Sequence, residues 1–222
     1  MIGFLEEHRP LEQVAQVWPA YIVDDDEAAR TALARLLSAC GGSPVQEFAS
    51  GAEFLNTCHE LSPGCLFLDL TLPCYDGLEV LREMHRCNVD LVAIMVTGLA
   101  DVKAAVASMK AGAVDIIEKP CEPTALLSAL QVAADRLDQI TASSRQRAAA
   151  RALTDRLTPR ELDVLQGLAG GDMNKMVAYK LGISPRTVEI HRANVMSKLG
   201  VRTFPEVLRI ALTAGIVDDS PS

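Results

Sequence analysis

The sequence predicts an α/β doubly wound five-stranded parallel sheet, followed by a small all-α domain built around a helix-turn-helix. Three observations predict it. Short apolar runs alternate with amphipathic helical stretches through the first half. The runs "LVAIMV" and "CLFL" are unbroken, as suits strands covered on both faces. The second half reads helix upon helix, each bounded by a cap or a glycine.

Residues 1–18, "MIGFLEEHRPLEQVAQVW", precede the first strand as an N-terminal extension. "AYIVDDD" is an apolar strand running into acids. "EAARTALARLLSACGG" is a helix with Leu33, Leu36 and Leu37 on one face, stopped by paired glycines. "SPVQEFAS" is a short strand and "GAEFLNTCHELSPG" a helix. Strand "CLFLDL", helix "GLEVLREMHRC", strand "DLVAIMVTG", helix "DVKAAVASMKAGA" and strand "VDIIEKP" complete five β-α units, with right-handed crossovers. A further helix starts at Glu122-Pro123, with an apolar stripe of Leu126, Leu127, Leu130, Ala133, Ala134 and Leu137. The α/β domain is placed at 19–135. The polar, Ala-rich stretch 136–152 lacks Gly and Pro and is read as a helical linker.

The all-α domain is placed at 153–217, with a tail at 218–222. "TPRELDVLQGLAGG" carries Thr158 as N-cap and Glu161 at capping-box spacing. "NKMVAYKLG" is short and ends at Gly182. "SPRTVEIHRANVMSKLG" opens on Ser184 and ends at Gly200. "TFPEVLRIALTAGI" is the last helix. The helix-turn-helix itself spans 174–193.

Charge divides the same way. Residues 1–150 carry 11 basic and 21 acidic side chains, a net −10, and residues 151–222 carry 10 and 8, a net +2. The basic half is the candidate for nucleic acid. No apolar run approaches a membrane span of roughly 20 residues, and no signal peptide is evident, so a cytoplasmic protein without membrane contact is expected. The 6 cysteines form no C-x-x-C pair and read as reduced, small hydrophobes. One of them, Cys74, falls in the loop after Asp69.

Acids stand where strands end: Asp24 and Asp25 after the first, Asp69 after the third. Thr97 ends the fourth strand and Lys119 the fifth. In a doubly wound sheet the site is the crevice outside those ends. Three crowded carboxylates repel and need neutralising, which a hard divalent ion does with oxygen ligands; Mg²⁺ fits. Lys119 and the Thr97 hydroxyl suit phosphoryl oxygens. Together they fit a carboxylate nucleophile, Asp69, attacking phosphorus. A phosphohydrolase would want a second acid two residues on, where this chain has Thr71. A dinucleotide enzyme would want G-x-G-x-x-G, where it has "DDDEAAR".

"YIVDDD", "LFLDLTLPCYDG", "IMVTG" and "AGAVDIIEKP" resemble the receiver domain of bacterial two-component response regulators, which has the flavodoxin-like fold. "RLTPRELDVLQGLAGGDMNKMVAYKLGISPRTVEIHRANVMSKLGV" resembles the LuxR/NarL-type DNA-binding domain, and the two together resemble the FixJ subfamily. The resemblance implies a DNA-binding transcription regulator, not an enzyme, phosphorylated on Asp69 by a sensor histidine kinase. It implies Mg²⁺ held by Asp25, Asp69 and the Thr71 carbonyl, with Asp24 assisting, and it makes Thr97 and Lys119 the phosphoryl-sensing pair. Receivers usually carry Tyr or Phe three residues before the lysine; here the switch position is Ile116. A phosphorylation-independent regulator with a degenerate switch is therefore the alternative. Thr71 and Leu99 at the rim predict slow self-dephosphorylation.

The recognition helix is expected at Ser184–Leu199. Arg186, Glu189, Ile190 and Ala193 share one face and are base-edge candidates, with Asn194 beside them. Lys175, Thr187, Arg192 and Lys198 suit phosphates. Val188, Val195 and Leu199 form the core stripe. A homodimer when phosphorylated is expected on paired half-sites of promoter DNA, with RNA polymerase as a further partner. The resemblance implies Asp101–Glu118 as the dimer face.

Overall fold

The computed structural model describes residues 18–41, 44–73, 75–98 and 102–217. The N-terminal extension, the tail, Cys74, Leu99 and Asp101 lie outside the described residues. The chain divides into two compact units that part between Thr141 and Ala142.

In the first unit, β1 (Ala20–Val23), β2 (Val45–Phe48), β3 (Gly64–Asp69), β4 (Leu91–Thr97) and β5 (Asp115–Glu118) form one sheet in the order β2-β1-β3-β4-β5. Every pairing is parallel. The order reverses at β1, and so ligand chemistry belongs at the carboxyl ends of β1 and β3. β3 and β4 are buried at every residue, because successive side chains feed cores on opposite faces. On one face Ile22, Phe67 and Ile94 pack with Leu33 and Leu37 of α1 (Glu27–Gly41) and with Leu126 of α5 (Pro123–Thr154). On the other, Val23, Leu66, Leu68 and Met95 pack with Phe54 of α2 (Gly51–Thr57) and with Val80, Leu81 and Met84 of α3 (Gly77–Arg86). The remaining helix of this unit is α4 (Val102–Lys110).

The structure differs from the sequence reading after Thr57. The helix expected through Gly64 stops there and tightens into a 3-10 turn, Cys58–Glu60. The apolar period ends at Cys58, and Pro63-Gly64 must lead straight into β3. α5 runs unbroken through the stretch read as a helical linker, since no Gly or Pro interrupts it before Pro159.

The second unit holds α6 (Pro159–Ala169), α7 (Asn174–Leu181), α8 (Pro185–Leu199) and α9 (Phe204–Ala214). Leu157, Leu165, Val195, Leu199, Val207 and Ala211 form one core, and Val164, Val177, Ala178 and Val188 a second. The stripe expected on α8 is thus its inner face. Thr158 caps α6 with Glu161 in a capping box, and the Ser184 hydroxyl accepts the Thr187 amide at 3.1 Å. Gly182 ends α7 at φ 64°, a left-handed turn that starts the recognition helix on its new course.

Candidate functional site

The site is built from strand ends. Asp24 follows β1, Asp69 ends β3, Thr97 ends β4 and Lys119 follows β5. Asp24 is 3% exposed and Asp69 7%, Thr97 is equally buried, and Asp25 faces solvent. The Lys119 ammonium donates to Asp24 Oδ2 at 2.6 Å and to Asp69 Oδ2 at 2.9 Å. The other oxygens are also used. Asp24 Oδ1 accepts the Asp26 amide at 3.0 Å, and Asp69 Oδ1 accepts the Thr71 amide at 3.1 Å. Carboxylate oxygens of Asp24, Asp25 and Asp69 lie within 4.8 Å of one another. Burial pulls the Lys119 pKa down, but the bonds to Asp24 and Asp69 outweigh it and hold it above the ordinary lysine value.

Local backbone supports this placement. The Gly77 amide, at the start of α3, donates to the Leu70 carbonyl at 3.1 Å, closing the loop that begins at Asp69. A Cβ on Gly77 would run into the Asp69 carbonyl and sit 2.9 Å from Leu70 Cα. The loop therefore needs glycine for close approach. Ile116 is partly buried against the α2–α3 side core.

The structure adds one partner to the sequence reading. Lys119 was matched with Asp69; it bridges Asp24 as well. The 95 residues between Asp24 and Lys119 leave no local signal for that bond. Four carboxylate oxygens and one ammonium in a crevice form a hard, oxygen-rich site, the donor set that suits a divalent cation of the Mg²⁺ class.

In the second unit, α7 and α8 form the helix-turn-helix. Arg186, Glu189, Ile190, Ala193 and Asn194 are exposed on α8, and Lys175 is exposed on α7. Arg186 and Glu189 pair with each other at 3.3 Å. The Thr187 hydroxyl shares a 2.8 Å hydrogen bond with Ser184. The Arg192 guanidinium stacks over the Phe204 ring, 4.5 Å from its centroid. Tyr179, one turn beyond Lys175, is exposed and was missed by the sequence reading; helical spacing from Lys175 was the available signal.

Lys198, expected to meet phosphate, spends its ammonium inside the domain. It donates to Glu161 Oε2 at 2.6 Å, and Glu161 is 4% exposed. Glu161 Oε2 also accepts the Thr158 amide at 2.8 Å, so one carboxylate caps α6 and ties it to the end of α8. Burial raises the Glu161 pKa, but the Lys198 and Thr158 bonds outweigh it and hold it below the ordinary carboxylate value. A depressed carboxylate adds stability above its unfolded pKa, about 4.3, and loses it as pH falls through the lower folded value. Glu161→Gln is accordingly expected to cost the second unit about 1–2 kcal/mol at pH 7. That cost should vanish in acid. Urea unfolding at pH 7 and pH 3 checks it; an equal cost at both pH values contradicts the pairing.

Residues 20–131 match the family described as response regulator receiver domain, and residues 155–211 match the LuxR family of bacterial regulatory proteins. The chain is 40% identical over 198 residues to the transcriptional regulatory protein FixJ of Rhizobium meliloti (strain 1021), covering 89% of this chain and 97% of that one. It belongs to the FixJ-type response regulators. Among solved structures, full-length FixJ from B. japonicum is 36% identical at a TM-score of 0.53, over 90% of this chain and 98% of that one. The response regulator StyR is 32% identical at a TM-score of 0.67, over 87% and 98% respectively. A FixJ-type regulator couples a receiver to a LuxR-type DNA-binding domain, which are the two units described above. Among the described residues, no helix is long and apolar enough to cross a membrane.

Proposed function

We propose that this response regulator takes a phosphoryl group from a sensor histidine kinase onto Asp69 and that the modification controls its binding to promoter DNA. The observation that supports it best is the Lys119 bridge between Asp24 and Asp69. A lone acid at a strand end is ordinary; two buried acids sharing one ammonium beside a third acid form a phosphoryl-transfer site. An Asp69 oxygen attacks phosphorus, a P–O bond forms, the P–N bond of the phosphohistidine breaks, and the imidazole keeps the electron pair and is protonated. Mg²⁺, held by Asp25, Asp69 and the Thr71 carbonyl with Asp24 assisting, supplies charge neutralisation on the phosphoryl oxygens. Lys119 and the Thr97 hydroxyl contact those oxygens.

Ile116 lacks the aromatic ring of the usual switch, and so Thr97 and Lys119 carry the signal by moving toward the phosphoryl group. The exposed Val102, Val106 and Met109 of α4 are suited to the dimer face. The assembled acid–lysine set supports this reading over the phosphorylation-independent alternative.

On DNA, Arg186, Glu189 and Ile190, with Ala193 and Asn194, face base edges, while Lys175, Thr187 and Arg192 contact phosphates. Phe204 fixes the guanidinium of Arg192. Lys175→Ala and Arg192→Ala should each weaken binding to all sequences alike and lower the salt slope by about one unit. Titrations of duplex DNA at several salt concentrations test this. An unchanged slope in both variants removes these two residues from the interface.

A further inference from the structure

The first unit carries a second pair of reactive side chains, away from Asp69. Cys58 opens the 3-10 turn after α2 and is fully buried, its thiol donating to the Leu55 carbonyl at 3.4 Å. Cys87 is the C-cap of α3 and is exposed. α2 and α3 pack side by side. Met84 stands three residues before Cys87, on the same helix face, and is buried in the same core as Cys58. This brings the two thiols within hydrogen-bonding reach of each other. Both precede a strand, β3 and β4 respectively, so they lie at the sheet edge opposite the acids.

We propose that Cys58 and Cys87 are a dithiol that closes to a disulfide on meeting a hydroperoxide. The exposed Cys87 meets the oxidant. Its thiolate sulfur attacks one peroxide oxygen; an S–O bond forms, the O–O bond breaks, and the departing hydroxide takes a proton and leaves as water. The Cys58 sulfur then attacks the sulfenic sulfur. An S–S bond forms, the S–O bond breaks, and the hydroxide leaves as water with the Cys58 proton. Two thiols and one hydrogen peroxide become one disulfide and two waters. Burial, with the adjoining Cys87 thiol, pushes Cys58 up to about 11, so it stays protonated and Cys87 is the sulfur that reacts first. Cys65 is buried and pushed up to about 12, which removes it as a competitor. The bond ties the end of α2 to the end of α3 around β3 without touching the acid–lysine site.

The test treats the reduced, full-length protein with one equivalent of hydrogen peroxide and reads intact mass and a non-reducing peptide map. The expected product has lost two hydrogens, about 2 Da, and contains one cross-linked peptide pair joining Cys58 to Cys87. Cys87→Ser should show no loss. Cys58→Ala, which keeps the core apolar, should stop at a Cys87 sulfenic acid that dimedone traps. A cross-link that omits either residue overturns the proposal. So does a mass unchanged by peroxide in protein whose Cys87 remains alkylatable.

Discussion

Asp69→Asn is expected to abolish phosphoryl uptake from acetyl phosphate with Mg²⁺. The amide oxygen carries no charge to attack phosphorus, and the site loses one of its three clustered acids. The fold should survive, because an Asn oxygen can still accept the Thr71 amide and the Lys119 ammonium that Asp69 now accepts at 3.1 Å and 2.9 Å. The loss is therefore chemical. Intact-mass spectra taken over an hour check it. Gain of a phosphoryl group to the wild-type extent would move the acceptor elsewhere.

Lys119→Ala is expected to have the largest effect on stability. Asp24 and Asp69 are 3% and 7% exposed, and Lys119 bridges both. Without it, two buried carboxylates face each other with no countercharge. Breaking a fully buried pair this way costs about 3–5 kcal/mol; the Lys119 side chain is 24% exposed, and so about 2–3 kcal/mol is expected. The pH dependence follows from the raised Lys119 pKa. A raised group stabilises fully below its unfolded pKa, about 10.4, and the contribution is lost as pH rises through the folded value. The gap between wild type and variant should thus be full at pH 8 and close above about pH 10.5. Mg²⁺ should recover part of the loss, since it neutralises the same acids. Chemical unfolding with and without Mg²⁺ measures both. A variant as stable as wild type in chelator would contradict the bridge.

The site was legible because its residues stand at strand ends, and strand ends are marked locally. The apolar run "CLFL" stops at Asp69 and "YIV" at Asp24, and five such units admit one sheet edge for all of them. The recognition helix was legible for the same reason: Ser184 and Gly200 mark its ends in sequence. Pairings across the fold were not. Lys119 gave no sign of Asp24, nor Lys198 of Glu161, which lies 37 residues away. Lys198 shows the consequence: helical spacing puts it in the basic helix, but only the packing of α6 against α8 reveals that its charge is already used. The end of α2 was misjudged because a 3-10 turn and an α-helix share the same residues over so short a span.

The central claim is that a phosphoryl group on Asp69 sets affinity for DNA. The direct measurement is equilibrium binding of one selected genomic duplex by full-length protein, before and after acetyl phosphate treatment, with Asp69→Asn in parallel. Phosphorylated wild type should bind at least about tenfold tighter, or roughly 1.4 kcal/mol, and Asp69→Asn should not respond. Equal affinities for phosphorylated and unphosphorylated wild type, with phosphorylation verified by mass, would contradict it.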